Sequence, residues 1–125
     1  MNQFVKTITS DKLCFEFLRS LNGLIGLTDR ELSILSVIMN LNIEESRKTK
    51  QVSVSDNADI RKFLMSTERV TKDNLSRYMK GFKEKGLMTF NHRIDRWTLN
   101  KALVPNISNK SVQVSMILKI KDNDE

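Results

Sequence analysis

At Gly86 the hydrophobic period of the chain changes, and that change limits what it can fold into more than any other feature. Before it, Leu75, Met79 and Phe82 recur at three- to four-residue spacing, which is one face of a helix. After it, Leu87-Met88-Thr89-Phe90 and Arg96-Trp97-Thr98-Leu99 read as two short strands around the turn Asn91-His92-Arg93-Ile94-Asp95. Thr71 stands at the start of the helix as its cap, and Gly86 marks its stop. A helix feeding straight into a hairpin needs other elements to cover its apolar face. With 125 residues there is room for one core only.

Those other elements are readable upstream. From Asp11, the positions Leu13, Phe17, Leu21 and Leu24 form a first helical face, with Gly23 and Gly26 bracketing its end. Thr28 and Glu31 have the spacing of a capping box and open a second helix, whose stripe is Leu32, Leu35, Ile38 and Met39 and which runs to about Leu41. Residues 43–54 begin polar and end in alternation, predicting a loop and a very short strand at 51–54. Ser55 or Asp56 caps a third helix to about Met65, with Ile60, Phe63 and Leu64 inward. Residues 66–70 form a turn before Thr71. Downstream, Pro105 ends a short segment, and Val112, Val114, Met116, Leu118 and Ile120 alternate as a late strand before a polar tail. Residues 2–8 read as a strand or a loose arm. The chain thus divides into 1–27 (arm and first helix), 28–104 (core) and 105–125 (strand and tail). The fold class is mainly α with a small β-hairpin.

The order helix, helix, short strand, helix, turn, helix, hairpin is that of a winged helix-turn-helix. The runs Asp59-Ile60-Arg61-Lys62-Phe63-Leu64, Val70-Thr71-Lys72-Asp73-Asn74-Leu75-Ser76-Arg77-Tyr78-Met79 and Phe82-Lys83-Glu84-Lys85-Gly86-Leu87-Met88 resemble the MarR-type winged-helix core, over roughly residues 28–100. The resemblance implies a positioning helix, a turn, a recognition helix and entry into a wing. Trp97-Thr98-Leu99-Asn100 is similar to a stretch in plasmid RepL-type replication proteins and related phage proteins, although Lys101 stands where that group usually has Pro. Some MarR-like regulators sense oxidants through a cysteine in the first helix, which gives Cys14 a redox reading beside that of a buried structural thiol.

The residues of the fourth helix carry their own argument. At 100° per residue, Leu75, Met79 and Phe82 cluster within about 60°, and Asp73, Arg77, Lys80 and Glu84 fall opposite, flanked by Asn74 and Ser76. Such a face suits a major groove, where Arg chelates guanine and Asn reads adenine. Helix N-termini do most of the reading, which selects Lys72, Ser76 and Arg77, with Asn74 further out. Thr71 and the amides behind it suit a phosphate, as does Lys80. At the hairpin, His92, Arg93 and Arg96 lie near the tip, where arginine favours a minor groove. The two acids oppose this reading, and a solvated face stiffened by an Asp73–Arg77 pair gives the same pattern. Trp97 reads as a plug beneath the hairpin and Tyr78 as a border residue.

Charge gathers in the same place. Residues 69–101 hold nine Lys and Arg against three Asp and Glu, while the rest of the chain carries equal numbers of each sign. That is the footprint of a polyanion-binding surface, or of a face kept soluble. The partner expected is double-stranded DNA, contacted by a homodimer that pairs through residues 1–25 and the late strand. The alternative partner is an acidic protein, met by a docking or virion component with contacts at 42–50. The function expected is transcriptional regulation or replication control of a phage or other mobile element in the bacterial cytoplasm. One Cys and one His exclude a His/Cys zinc site and an internal disulfide, and the lone thiol fits a reducing compartment. No cofactor is called for. No nucleophile set, phosphate loop or carboxylate pair suggests catalysis. No apolar run is long enough to span a bilayer, and the N-terminus lacks a signal-peptide pattern.

Overall fold

The computed structural model describes residues 5–49, 54–105, 107–114 and 119–121. Its order is α1 (Leu13–Ile25), α2 (Asp29–Thr49), α3 (Ala58–Thr67), α4 (Lys72–Glu84), β1 (Met88–Asn91), β2 (Arg96–Leu99), β3 (Ile107–Ser108) and β4 (Ser111–Val112). Single 3-10 turns precede α1 and follow β2. The protein is therefore mainly helical, with a small antiparallel hairpin after the last helix.

The α1–α2 pair is joined by chemistry legible in the residues. Gly26 takes φ 63, and its amide donates to the Asn22 carbonyl at 2.9 Å, closing α1 in the left-handed region open to glycine. The Asn22 side chain donates to the Leu27 carbonyl and accepts the Leu27 amide, at 3.0 and 2.8 Å, so one side chain pins the connection. The capping box is complete: the Glu31 amide donates to Thr28 Oγ1 and the Thr28 amide to Glu31 Oε1. The α1 seam centres on Cys14, Phe17 and Leu18, with Leu21 and Ile25 partly buried beside them. Leu24, expected on that face, falls on its flank and is 57% exposed.

Where a loop was expected from residue 43, α2 continues to Thr49. Ile43 still packs on the core, and Glu44, Glu45, Arg47 and Lys48 are good helix formers with no Gly or Pro among them. Of the expected short strand, residues 51–53 lie outside the described ones. Beyond it the Ser55 amide donates to the Trp97 carbonyl at 2.9 Å, attaching the chain before α3 to β2. Asn57, rather than Ser55 or Asp56, caps α3, and its Oδ1 accepts the Ile60 amide at 2.8 Å. Ser55 is instead buried, and Asp56 turns its carboxylate to Arg61 and Lys83. Leu64 is buried and Ile60 half-buried, but Phe63 is 45% exposed because the core reaches only one narrow side of α3.

Arg69, at φ 50, turns the chain between α3 and α4. Thr71 Oγ1 accepts the Asn74 amide, as the sequence predicts, and Leu75, Met79 and Phe82 are buried against Leu35, Ile38 and Leu64 in one core cluster. Gly86 (φ 74) ends the helical segment, with the Leu87 amide donating to the Phe82 carbonyl. The hairpin pairs Met88 with Leu99, Thr89 with Thr98, Phe90 with Trp97 and Asn91 with Arg96. Met88 and Leu99 are buried, so one face of the hairpin continues the core.

The long late strand is absent among the described residues. Val112 belongs instead to a two-residue ladder with Ile107, turned by Asn109 and Lys110 at φ 52 and 59. Val114 and Ile120 are exposed outside any strand, and Met116 and Leu118 lie outside the described residues. The short turn gives β4 a local partner in β3.

Candidate nucleic-acid interface

Burying Leu75, Met79 and Phe82 on one side of α4 turns the opposite side outward, and with it most of the residues singled out from the sequence. Thr71, Lys72, Asn74, Arg77 and Lys80 are all exposed. Arg77 Nη2 donates to Asn74 Oδ1 at 2.8 Å, so these two act as a pair on the first two turns. Arg77 thus turns to Asn74, not to the Asp73 expected as its partner. Lys80 Nζ stands 3.9 Å from Glu84, with both side chains more than two-thirds exposed, an ion pair too wet to hold the lysine firmly.

Ser76 departs from the expected reading face. It is half-buried, and its Oγ accepts Arg61 Nη1 at 3.3 Å, so it faces α3. Behind it lies a charged cluster that sequence reasoning missed. The Asp56 carboxylate accepts Arg61 Nε and Nη2 at 2.7 and 3.0 Å and pairs with Lys83 Nζ at 2.9 Å. Burial alone raises the Asp56 pKa, but hydrogen bonds and charge from Arg61 and Lys83 outweigh it and hold the carboxyl below its ordinary value. The hydrogen bond to Asp56 likewise raises the Arg61 pKa. Lys83 also lies 4.7 Å over the Trp97 ring, a cation–π contact that ties α4 to β2. The sequence signal was weak: three residues at 56, 61 and 83 whose meeting depends on the packing of α3 against α4.

Two of the nine cations in the basic segment are thereby structural. Lys83 serves the Asp56 cluster, and Lys85 Nζ donates to the Gly26 carbonyl at the end of α1. In return α3 adds one exposed cation that the charge window omitted, Lys62, which lines a hollow with Ala58, Arg61, Met65, Lys72 and Leu75.

The hairpin carries the second group. His92, Arg93 and Arg96 are exposed at or beside the 92–95 turn. The Arg93 amide donates to Asn91 Oδ1 at 3.0 Å, and Arg96 Nη1 to the Asp95 carbonyl at 3.0 Å. Phe90 meets Trp97 edge-on at 5.4 Å and His92 at 5.0 Å, forming an aromatic row from the core toward the turn. Trp97 packs at the core margin, as a plug would.

Cys14 is buried in α1, and burial pushes its thiol up to about 11, against the low pKa of a redox-sensing thiolate. Among the described residues no three His, Cys, Asp or Glu side chains are grouped to hold a metal ion, and no helix is long and apolar enough to cross a membrane. In comparisons with protein-family models, curated proteins and solved structures, nothing matched this chain.

Proposed function

We propose that this protein is a winged helix-turn-helix of the MarR-like kind that binds duplex DNA, acting in transcription or replication control of a mobile element. In this reading α3 is the positioning helix, α4 the recognition helix and β1–β2 the wing. One observation carries it. A helix capped by Thr71 buries its apolar side, presents Lys72, Asn74, Arg77 and Lys80 outward, and leads at once into a hairpin whose turn exposes Arg93 and Arg96.

The chemistry follows from those positions. The first turns of α4 enter the major groove, and Asn74 holds the Arg77 guanidinium ready to donate to guanine O6 and N7. Lys72 and Lys80 meet phosphates on either side of the groove. Arg93 and Arg96 reach the adjacent minor groove, where the negative potential favours a guanidinium. Ser76, bonded to Arg61, supports the position of α4 and does not read bases.

The test is a fluorescence-anisotropy titration of mixed-sequence duplex DNA with wild type and with Arg77→Ala/Lys80→Ala. Wild type binds at low salt, and the double variant binds at least tenfold more weakly while keeping its helical circular dichroism. Absence of wild-type binding at low salt overturns the proposal.

A further inference from the structure

The hairpin turn carries a residue that neither charge nor solubility explains. Ile94 occupies the 92–95 turn, a setting that favours Gly, Asn and Asp over a β-branched side chain. It is 40% exposed and does not pack against the core, and Arg93 and Arg96 stand on either side of it in the chain, both exposed. Asp95, next in the chain, takes φ 56, in the left-handed region, as the turn leads into β2.

The stem beneath the turn is braced by packing and hydrogen bonds. Phe90 and Trp97 face each other across the hairpin, His92 meets Phe90 edge-on, and Lys83 covers the Trp97 ring. Asn91 accepts the Arg93 amide at the entry to the turn, and the Asp95 carbonyl accepts Arg96 Nη1 at its exit. An exposed apolar side chain in the turn of a braced hairpin, with Arg93 before it and Arg96 beyond the single carboxylate Asp95, has the composition of a wedge. Side chains such as Ile enter a base step from the minor groove while flanking Arg hold the backbones, and the step unstacks and kinks. Pre-ordering of the stem lowers the entropy lost on insertion.

We propose that Ile94 is a base-step wedge that unstacks and bends the DNA bound by this protein, with Arg93 and Arg96 fixing its depth through the strand backbones. The inference rests on the DNA-binding reading and adds how the DNA is deformed. The occupant is duplex DNA, because the cations beside Ile94 complement its phosphates and a base step offers the apolar slot.

A wedge gains where unstacking has already occurred, so the experiment needs no preferred sequence. Affinity is measured for a 20-base-pair duplex and for the same duplex with a central two-base mismatch. Wild type prefers the mismatched duplex by tenfold or more, Ile94→Ala reduces that preference to within twofold, and Ile94→Leu restores it. Arg93→Ala weakens binding to both duplexes by a similar factor. Equal wild-type affinity for the two duplexes, or a preference that survives in Ile94→Ala, overturns the wedge and leaves DNA binding standing. Wild type binding neither duplex overturns both.

Discussion

At Asp56 a single carboxylate, with its side chain only 7% exposed, receives two cations from two different helices. Removing its charge leaves Arg61 and Lys83 facing a partly desolvated site without their acceptor. Asp56→Asn should therefore lower stability by about 1–3 kcal/mol at about pH 7, measured by urea denaturation. The sign of the pH dependence follows from the depressed pKa. The carboxylate contributes in full above its ordinary value of 3.8, and that contribution is lost as pH falls through the lower folded value. The gap between wild type and Asp56→Asn should narrow as pH falls below 3.8. Cys14 gives the opposite case. With its thiol raised to about 11 by burial, it should resist a disulfide reagent in the folded protein at about pH 8 and react fully in urea. Native-state labelling faster than unfolding would contradict the buried position.

At the scale of the element, α4 depends on its first turn. Thr71 supplies the acceptor for the Asn74 amide, and the same turn holds Lys72 and Asn74 outward. Thr71→Ala should cost about 1 kcal/mol and raise amide exchange at the start of α4, with little change in α2. This helix was legible in the sequence because cap, apolar period and terminal Gly86 all agree. So were the capping box at Thr28 and the hairpin, whose alternation matches its register. The end of α2 was not legible, because the polar residues after Leu41 suit a solvated helix as well as a loop. Phe63 was misplaced because periodicity fixes a face without showing how wide a face the core covers. Of the late strand, Val112 found its partner locally through the turn at Asn109 and Lys110, which alternation alone does not show. In the candidate interface, Thr71, Lys72, Asn74, Arg77 and Lys80 stood where the helical wheel put them. Ser76 stands on the flank where the wheel put it, but its bond to Arg61, itself held by Asp56, turns it toward α3 and was not legible.

For the whole molecule, the distinction between structural and available cations decides how charge acts at a distance. The formal charge of +6 does not predict phosphate contacts, because Lys83 and Lys85 are held by Asp56 and by the end of α1. With Arg77 turned to a base, four exposed cations of the proposed surface reach phosphates: Lys72, Lys80, Arg93 and Arg96. Each phosphate neutralised contributes about 0.9 to the fall of log affinity with log salt, so these four set a slope of about −3 to −4. Arg96→Ala should make that slope shallower by about one. Lys83→Ala should lower stability and leave the slope unchanged, because its ammonium faces Asp56 and Trp97 and not the DNA. A steep slope that Lys83→Ala reduced as much as Arg96→Ala would mean that net charge, and not the placed face, attracts the polyanion. Titration across four salt concentrations with these two variants separates the alternatives, since a diffuse attraction counts every lysine equally and a docked surface counts only those that reach a phosphate.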